Sequence, residues 1–152
     1  MFRTSLRRLF YSVALPLTLT SAATAQVPPD QQADMILASA RKAFAERNYP
    51  FAADRFREFL QKFGGHAKAN DARYGLAMVL LEQPERNYAQ AIEQLQPLAG
   101  NKAMPEHPFV LYYLGLSKRA LGLNELAQAV TKPNEAAQRR QNANGQIGRA
   151  HV

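Results

Sequence analysis

Beyond residue 25 the chain holds two serines, Ser39 and Ser117, each inside a stretch of helical apolar periodicity. A serine nucleophile needs a base within hydrogen-bond reach, and neither has a histidine close in sequence. His66 and His107 fall in segments between helices, with no carboxylate or second histidine at ligand spacing beside either. They are expected to be exposed loop histidines. The chain has no cysteine, which excludes a thiolate metal site, a cysteine nucleophile and a disulfide framework. Gly64-Gly65 fits no phosphate-cradling motif; it reads as a helix stop, with glycine taking the left-handed conformation. The scattered Asp and Glu residues cannot be paired from sequence. These residues point to no enzyme: no catalytic residue, no metal site and no cofactor are expected.

The ends explain much of the basic charge. Arg3, Arg7 and Arg8 precede an apolar run from Leu9 to Thr20, and Ala23-Thr24-Ala25 supplies small residues for a signal peptidase. This is the pattern of a secretory leader cleaved after Ala25. Twelve apolar residues interrupted by Pro16 are too short to span a bilayer, so no stable membrane insertion is expected after cleavage. Arg7-Arg8 before Leu9-Phe10 resembles a twin-arginine signal, but Leu6 departs from that pattern and favours ordinary export. The chain has nineteen Lys and Arg against twelve Asp and Glu. Setting aside the three leader arginines leaves sixteen against twelve, interspersed rather than gathered in a stripe. Nucleic-acid binding needs a clustered basic face, so none is expected.

The elements that must position any site come from the apolar beat. Tyr49, Ala52, Phe56, Phe59 and Phe63 recur at separations of three and four, which keeps them on one helix face. Tyr88, Ala91, Leu95 and Leu98 repeat that beat, and both stripes open on Arg-Asn-Tyr. The spacing predicts helices over 34–46, 51–63, 69–82, 88–98 and 109–121. A turn at Gly122 and a sixth helix from Asn124 are expected to follow. No segment alternates apolar and polar residues as a strand would. The reading is all-α, in pairs of antiparallel helices.

These pairs resemble tetratricopeptide repeats, whose unit is a helix–turn–helix of about 34 residues. The resemblance rests on small residues spaced across each turn: Ala40 with Ala52, Ala77 with Ala91, and Gly115 with Ala127. Phe56 and Leu95 match the large residue of the second helix, and Leu114-Gly115 with Gly122 resembles the family's Leu-Gly and turn glycine. Thr131 and Pro133 make the third second-helix irregular. The resemblance implies a solenoid of about three repeats, at about 34–67, 69–103 and 109–138. A leader (1–25) and a linker (26–33) would precede it, and a truncated continuation (139–146) would follow. A lone pair cannot cover its own apolar face, so each pair must stack on the next.

In such arrays the first helices line a concave binding surface. The resemblance therefore implies groove residues Arg41, Tyr74, Met78, Phe109, Tyr112 and Arg119. Leu37, Phe44, Leu81 and Leu116 fall on the same projection but compete for the core. The implied function is an exported scaffold of the bacterial periplasm or cell envelope that binds envelope proteins or peptides. The competing expectation is a non-catalytic repeat arm of a longer exported enzyme acting on cell-wall polymer. The last six residues, Ile147 to Val152, continue no helical pattern. As codons ATC GGA AGA GCA CAC GTC they resemble the start of a short-read sequencing adapter. Residues 147–152 are accordingly read as a non-native tail.

Overall fold

The structure is a computed structural model that describes residues 27–150. Residues 1–26, with the expected leader, lie outside the described residues, as do His151 and Val152 of the expected tail. The described chain is all-α, and no strand occurs in it. The helices are α1 (Pro29–Ala45), α2 (Tyr49–Phe63), α3 (Ala69–Glu82), α4 (Tyr88–Leu95), α5 (His107–Thr131) and α6 (Ala136–Gly148). Short 3₁₀ turns at Gln96–Leu98 and Pro133–Glu135 extend α4 and precede α6. Each helix packs on its neighbours in sequence, and α1 also reaches α3. Among the described residues, no helix is long and apolar enough to cross a membrane.

α1 starts earlier than its periodicity suggests, so most of the expected linker is helical. Pro29 opens the helix where its missing N–H costs nothing. Ala33 is fully buried on the core side, while Gln31 and Gln32 face solvent. The polar composition of this segment marks the outer face of a helix.

The repeated Arg-Asn-Tyr has a local cause. Asn48 Oδ1 accepts a hydrogen bond from Phe51 N at 3.4 Å, and Asn87 Oδ1 accepts one from Gln90 N at 3.0 Å. Both asparagines cap the N-terminus of a second helix, satisfying a backbone donor that the helix cannot pair internally. The following tyrosine then opens the apolar stripe. Asn87→Ala is expected to lower stability by about 1 kcal/mol. Asn48→Ala, with its longer contact, should cost less. Urea unfolding of the two variants side by side checks the order; a cost at Asn48 equal to or above that at Asn87 would contradict it.

α2 ends at Phe63, where Gly64-Gly65 suggested a stop, but no left-handed glycine makes that stop. Gly64 is right-handed, with φ −61° and ψ −20°. His66 shapes the turn instead. Its N–H donates to Phe63 O at 2.9 Å, its carbonyl accepts from Ala69 N at 2.9 Å, and its Nδ1 accepts from Lys68 N at 3.1 Å. The left-handed residue among those described is Arg47, with φ 58°. It follows α1, where Asn48 N donates to Ala43 O at 2.9 Å and Arg47 N to Phe44 O at 3.0 Å. These two bonds form a Schellman motif, which requires a left-handed residue at this place whether or not it is glycine.

The third pair differs most from expectation. α5 continues through Gly122 to Thr131, so the helix expected from Asn124 is the second half of α5. Gly115 and Ala127 both lie on α5 and cannot face each other across a turn. The break comes at Lys132, whose φ of −126° and ψ of 76° lie outside the helical region that the following Pro133 disfavours. The returning helix is α6, which takes in residues 139–146 and also Ile147 and Gly148, read from sequence as non-helical. α6 crosses α5 at Gly122: a Cβ there would lie 2.7 Å from Ile147 Cγ1 and 3.1 Å from Ala143 O. Glycine at 122 permits close approach of two helices rather than reversing the chain.

The core has two connected parts. Leu37, Phe56, Phe59, Leu76, Val79 and Leu80 fill the space between α1, α2 and α3. Ala77, Leu95, Leu98, Met104, Val110 and Leu114 fill the space between α3, α4 and α5. Met78 and Tyr113 pack against both. α3 is therefore apolar on two sides, because it packs on the pair before it and on the helix after it.

Candidate functional site

A cleft of about 370 Å³ opens between α1 and α3. α3 supplies Asp71, Tyr74, Gly75 and Met78, at separations of three, one and three that place them on one helix face. α1 supplies Arg41 and Phe44, α2 supplies Phe56, and the segment leading into α5 supplies Met104 and Glu106. The floor is apolar. Phe56 is buried, and a Cβ on Gly75 would run into the tip of its ring. The bare backbone at Gly75 is what lets that ring reach the cleft.

At the mouth, Arg41 Nη2 donates to Asp71 Oδ2 at 3.1 Å, joining α1 to α3 across thirty residues of sequence. Both side chains are roughly half exposed, so this ion pair contributes little to stability. Its effect is to hold a polar edge over an apolar floor. Burial raises the pKa of the Tyr74 phenol, helped by Tyr113 and Glu106. Tyr74 therefore remains a neutral hydrogen-bond donor and acceptor at physiological pH. Met78 and Met104 are flexible, polarisable side chains suited to re-packing around a guest. The arrangement can receive an apolar side chain and orient a polar one beside it.

The six residues singled out from sequence occupy two surfaces. Arg41, Tyr74 and Met78 meet in the cleft. Phe109, Tyr112 and Arg119 stand apart from it on α5, all exposed, with Tyr112 at 63%. Of the residues that competed for the core, Leu37 and Leu81 are buried, Phe44 is half-buried at the cleft, and Leu116 is exposed. Sequence reasoning missed Phe56, Asp71, Gly75, Met104 and Glu106 as lining residues. Asp71 and Gly75 were detectable as members of the Tyr74–Met78 face. Met104 and Glu106 precede α5 and carried no such signal.

The groups considered for chemistry are engaged elsewhere. Ser39 Oγ accepts from Arg55 Nε at 3.4 Å, and buried Ser117 Oγ donates to Tyr113 O at 2.7 Å within α5. Both histidines are half-buried rather than exposed as expected. His66 meets the Phe59 ring edge-on at 5.8 Å, with Nε2 3.6 Å from Asp30 Oδ1. His107 Nε2 lies 2.9 Å from Ala99 O and ties the start of α5 to the end of the preceding turn. Among the described residues, neither histidine hydrogen-bonds a serine. Among the described residues, no three His, Asp or Glu side chains form a group able to hold a metal ion.

The chain matches no family model, no curated protein and no solved structure.

Proposed function

We propose that this chain is an exported interaction scaffold of the bacterial cell envelope, built from tetratricopeptide-like helix pairs. It acts by binding, taking a peptide or protein segment into the cleft between α1 and α3. The observation that carries this reading is the meeting of Arg41, Tyr74 and Met78 over a floor of Phe56 and Gly75. Tyrosine and arginine beside an apolar pocket are the residue types that dominate binding energy at interfaces. Export is supported by the arginine, apolar and small-residue regions of residues 1–25. The repeat reading is supported by two matched stripes, each led by a capping asparagine.

A benzophenone amino acid introduced at Tyr74, and separately at Glu93 on α4 away from this cleft, tests the site in cell envelopes. Adducts are expected from position 74 and not from 93. With the captured partner purified, Tyr74→Ala plus Met78→Ala should weaken its binding by about tenfold or more, the effect of losing one interface anchor. Equal capture at both positions, or an unchanged Kd in the double variant, would count against the cleft.

A further inference from the structure

α5 has two apolar faces, and among the described residues one of them is left largely uncovered. Val110 and Leu114 are buried in the core shared with α3 and α4. On the opposite side Phe109, Tyr112, Leu116, Leu123 and Val130 are exposed, Val130 to 79%. With Arg119 and half-buried Leu126, these residues follow one another at separations of three, four, three, four, three and four. This is the spacing that keeps a seam turned toward a partner helix along its whole length. From Phe109 to Val130 it runs about 32 Å at 1.5 Å per residue. α6 packs on a third side at Gly122, with the Ala150 carbonyl beside Gly115, and the described residues leave most of the seam exposed. A contiguous apolar face of this kind marks an interaction surface.

Arg119 decides what can cover it. It occupies the central seam position, is exposed, and takes part in none of the ion pairs among the described residues. A second copy of α5 laid parallel and in register would set Arg119 against Arg119. Laid antiparallel over the whole seam, it would match Phe109 with Val130 and Leu116 with Leu123, and again Arg119 with itself. Two guanidinium groups forced together while losing water repel strongly, so either self-pairing is opposed at its centre. A carboxylate at that register instead accepts charge-assisted hydrogen bonds from the same guanidinium. We infer that this face of α5 docks an amphipathic helix of about twenty residues, apolar along its own seam, with one carboxylate opposite Arg119. None of the seam residues lines the α1–α3 cleft, and the inference stands independently of the function proposed for that cleft.

Two labelled 21-residue helical peptides with leucine seams, one with Glu and one with Lys at the central seam position, serve as probes. They are titrated against the full chain by fluorescence anisotropy. The Glu peptide is expected to bind about tenfold or more tightly than the Lys peptide, the scale of one interfacial charge pair. Arg119→Glu should invert the preference, and Arg119→Gln should abolish it. Leu116→Lys with Leu123→Lys should remove binding of both peptides. All these positions are exposed, so circular dichroism should be unchanged. Equal affinity for the two peptides, or no binding of either, overturns the inference. So does sedimentation of the chain as a dimer that the double lysine variant dissolves, and so does binding to phosphatidylglycerol vesicles that the same variant abolishes.

Discussion

Replacing Phe59 by alanine is expected to lower the free energy of unfolding by about 3–5 kcal/mol. Phe59 is completely buried, packs its ring 5.8 Å from that of Phe63, and belongs to the core shared by α1, α2 and α3. Truncation removes the transfer free energy of the ring and leaves a cavity that rigid helix pairs close only in part. A typical domain has a total stability of about 5–15 kcal/mol, so this one change takes a large share of it. Phe51→Ala is the matched control on the same helix. Its ring is 46% exposed, with the Arg55 guanidinium 5.5 Å from its centroid. Losing that contact should cost about 1 kcal/mol or less. Urea denaturation followed by circular dichroism separates the two. A similar midpoint for both variants would mean that the Tyr49–Phe63 stripe does not form the core.

Gly122→Leu is expected to detach α6 from α5. On an exposed helix, exchanging glycine for leucine gains roughly 0.8 kcal/mol of helix propensity. Here the added side chain enters the crossing, where even a Cβ lies 2.7 Å from Ile147 and 3.1 Å from the Ala143 carbonyl oxygen. Overpacking of this kind costs about 1–3 kcal/mol, and a leucine reaches further than the Cβ alone, so the clash prevails. The damage should be local, because the α1–α4 core does not include this crossing. Limited proteolysis should cut the Lys132–Glu135 connection faster than in the parent chain, while the helical signal of the rest persists. Ile147→Ala in the same molecule should restore part of the protection, since the two side chains contest one space. A Gly122→Leu protein that is more stable and equally resistant to protease would show that Gly122 lies at a turn or a free surface instead.

The first four helices were legible because helical periodicity is a local property. A residue's face follows from positions three and four away, all within one turn or two. On that basis α3 was placed at its observed limits, and the buried members of the α2 and α4 stripes were named from spacing alone. Half of the cleft was legible for the same reason, since Tyr74 and Met78 project from one face of α3. The rest depends on partners far away in sequence. Arg41 meets Asp71, and Phe56 reaches Gly75, only once α1, α2 and α3 have stacked.

Glycine shows the division most plainly. The residue's lack of a Cβ serves either a left-handed turn or a close approach, and the chain alone does not distinguish them. Gly64 and Gly122 both looked like helix stops, yet Gly64 is right-handed and Gly122 lies mid-helix against α6, while Arg47 takes the left-handed position. The sequence by itself determined that the chain is helical and which face of each early helix is apolar. Only the tertiary structure decided which backbone each glycine lets approach, and that the candidate residues divide between a cleft and the open face of α5. The reason is physical: periodicity is written along one helix, but a surface is formed by what stacks beside it and by what leaves it uncovered.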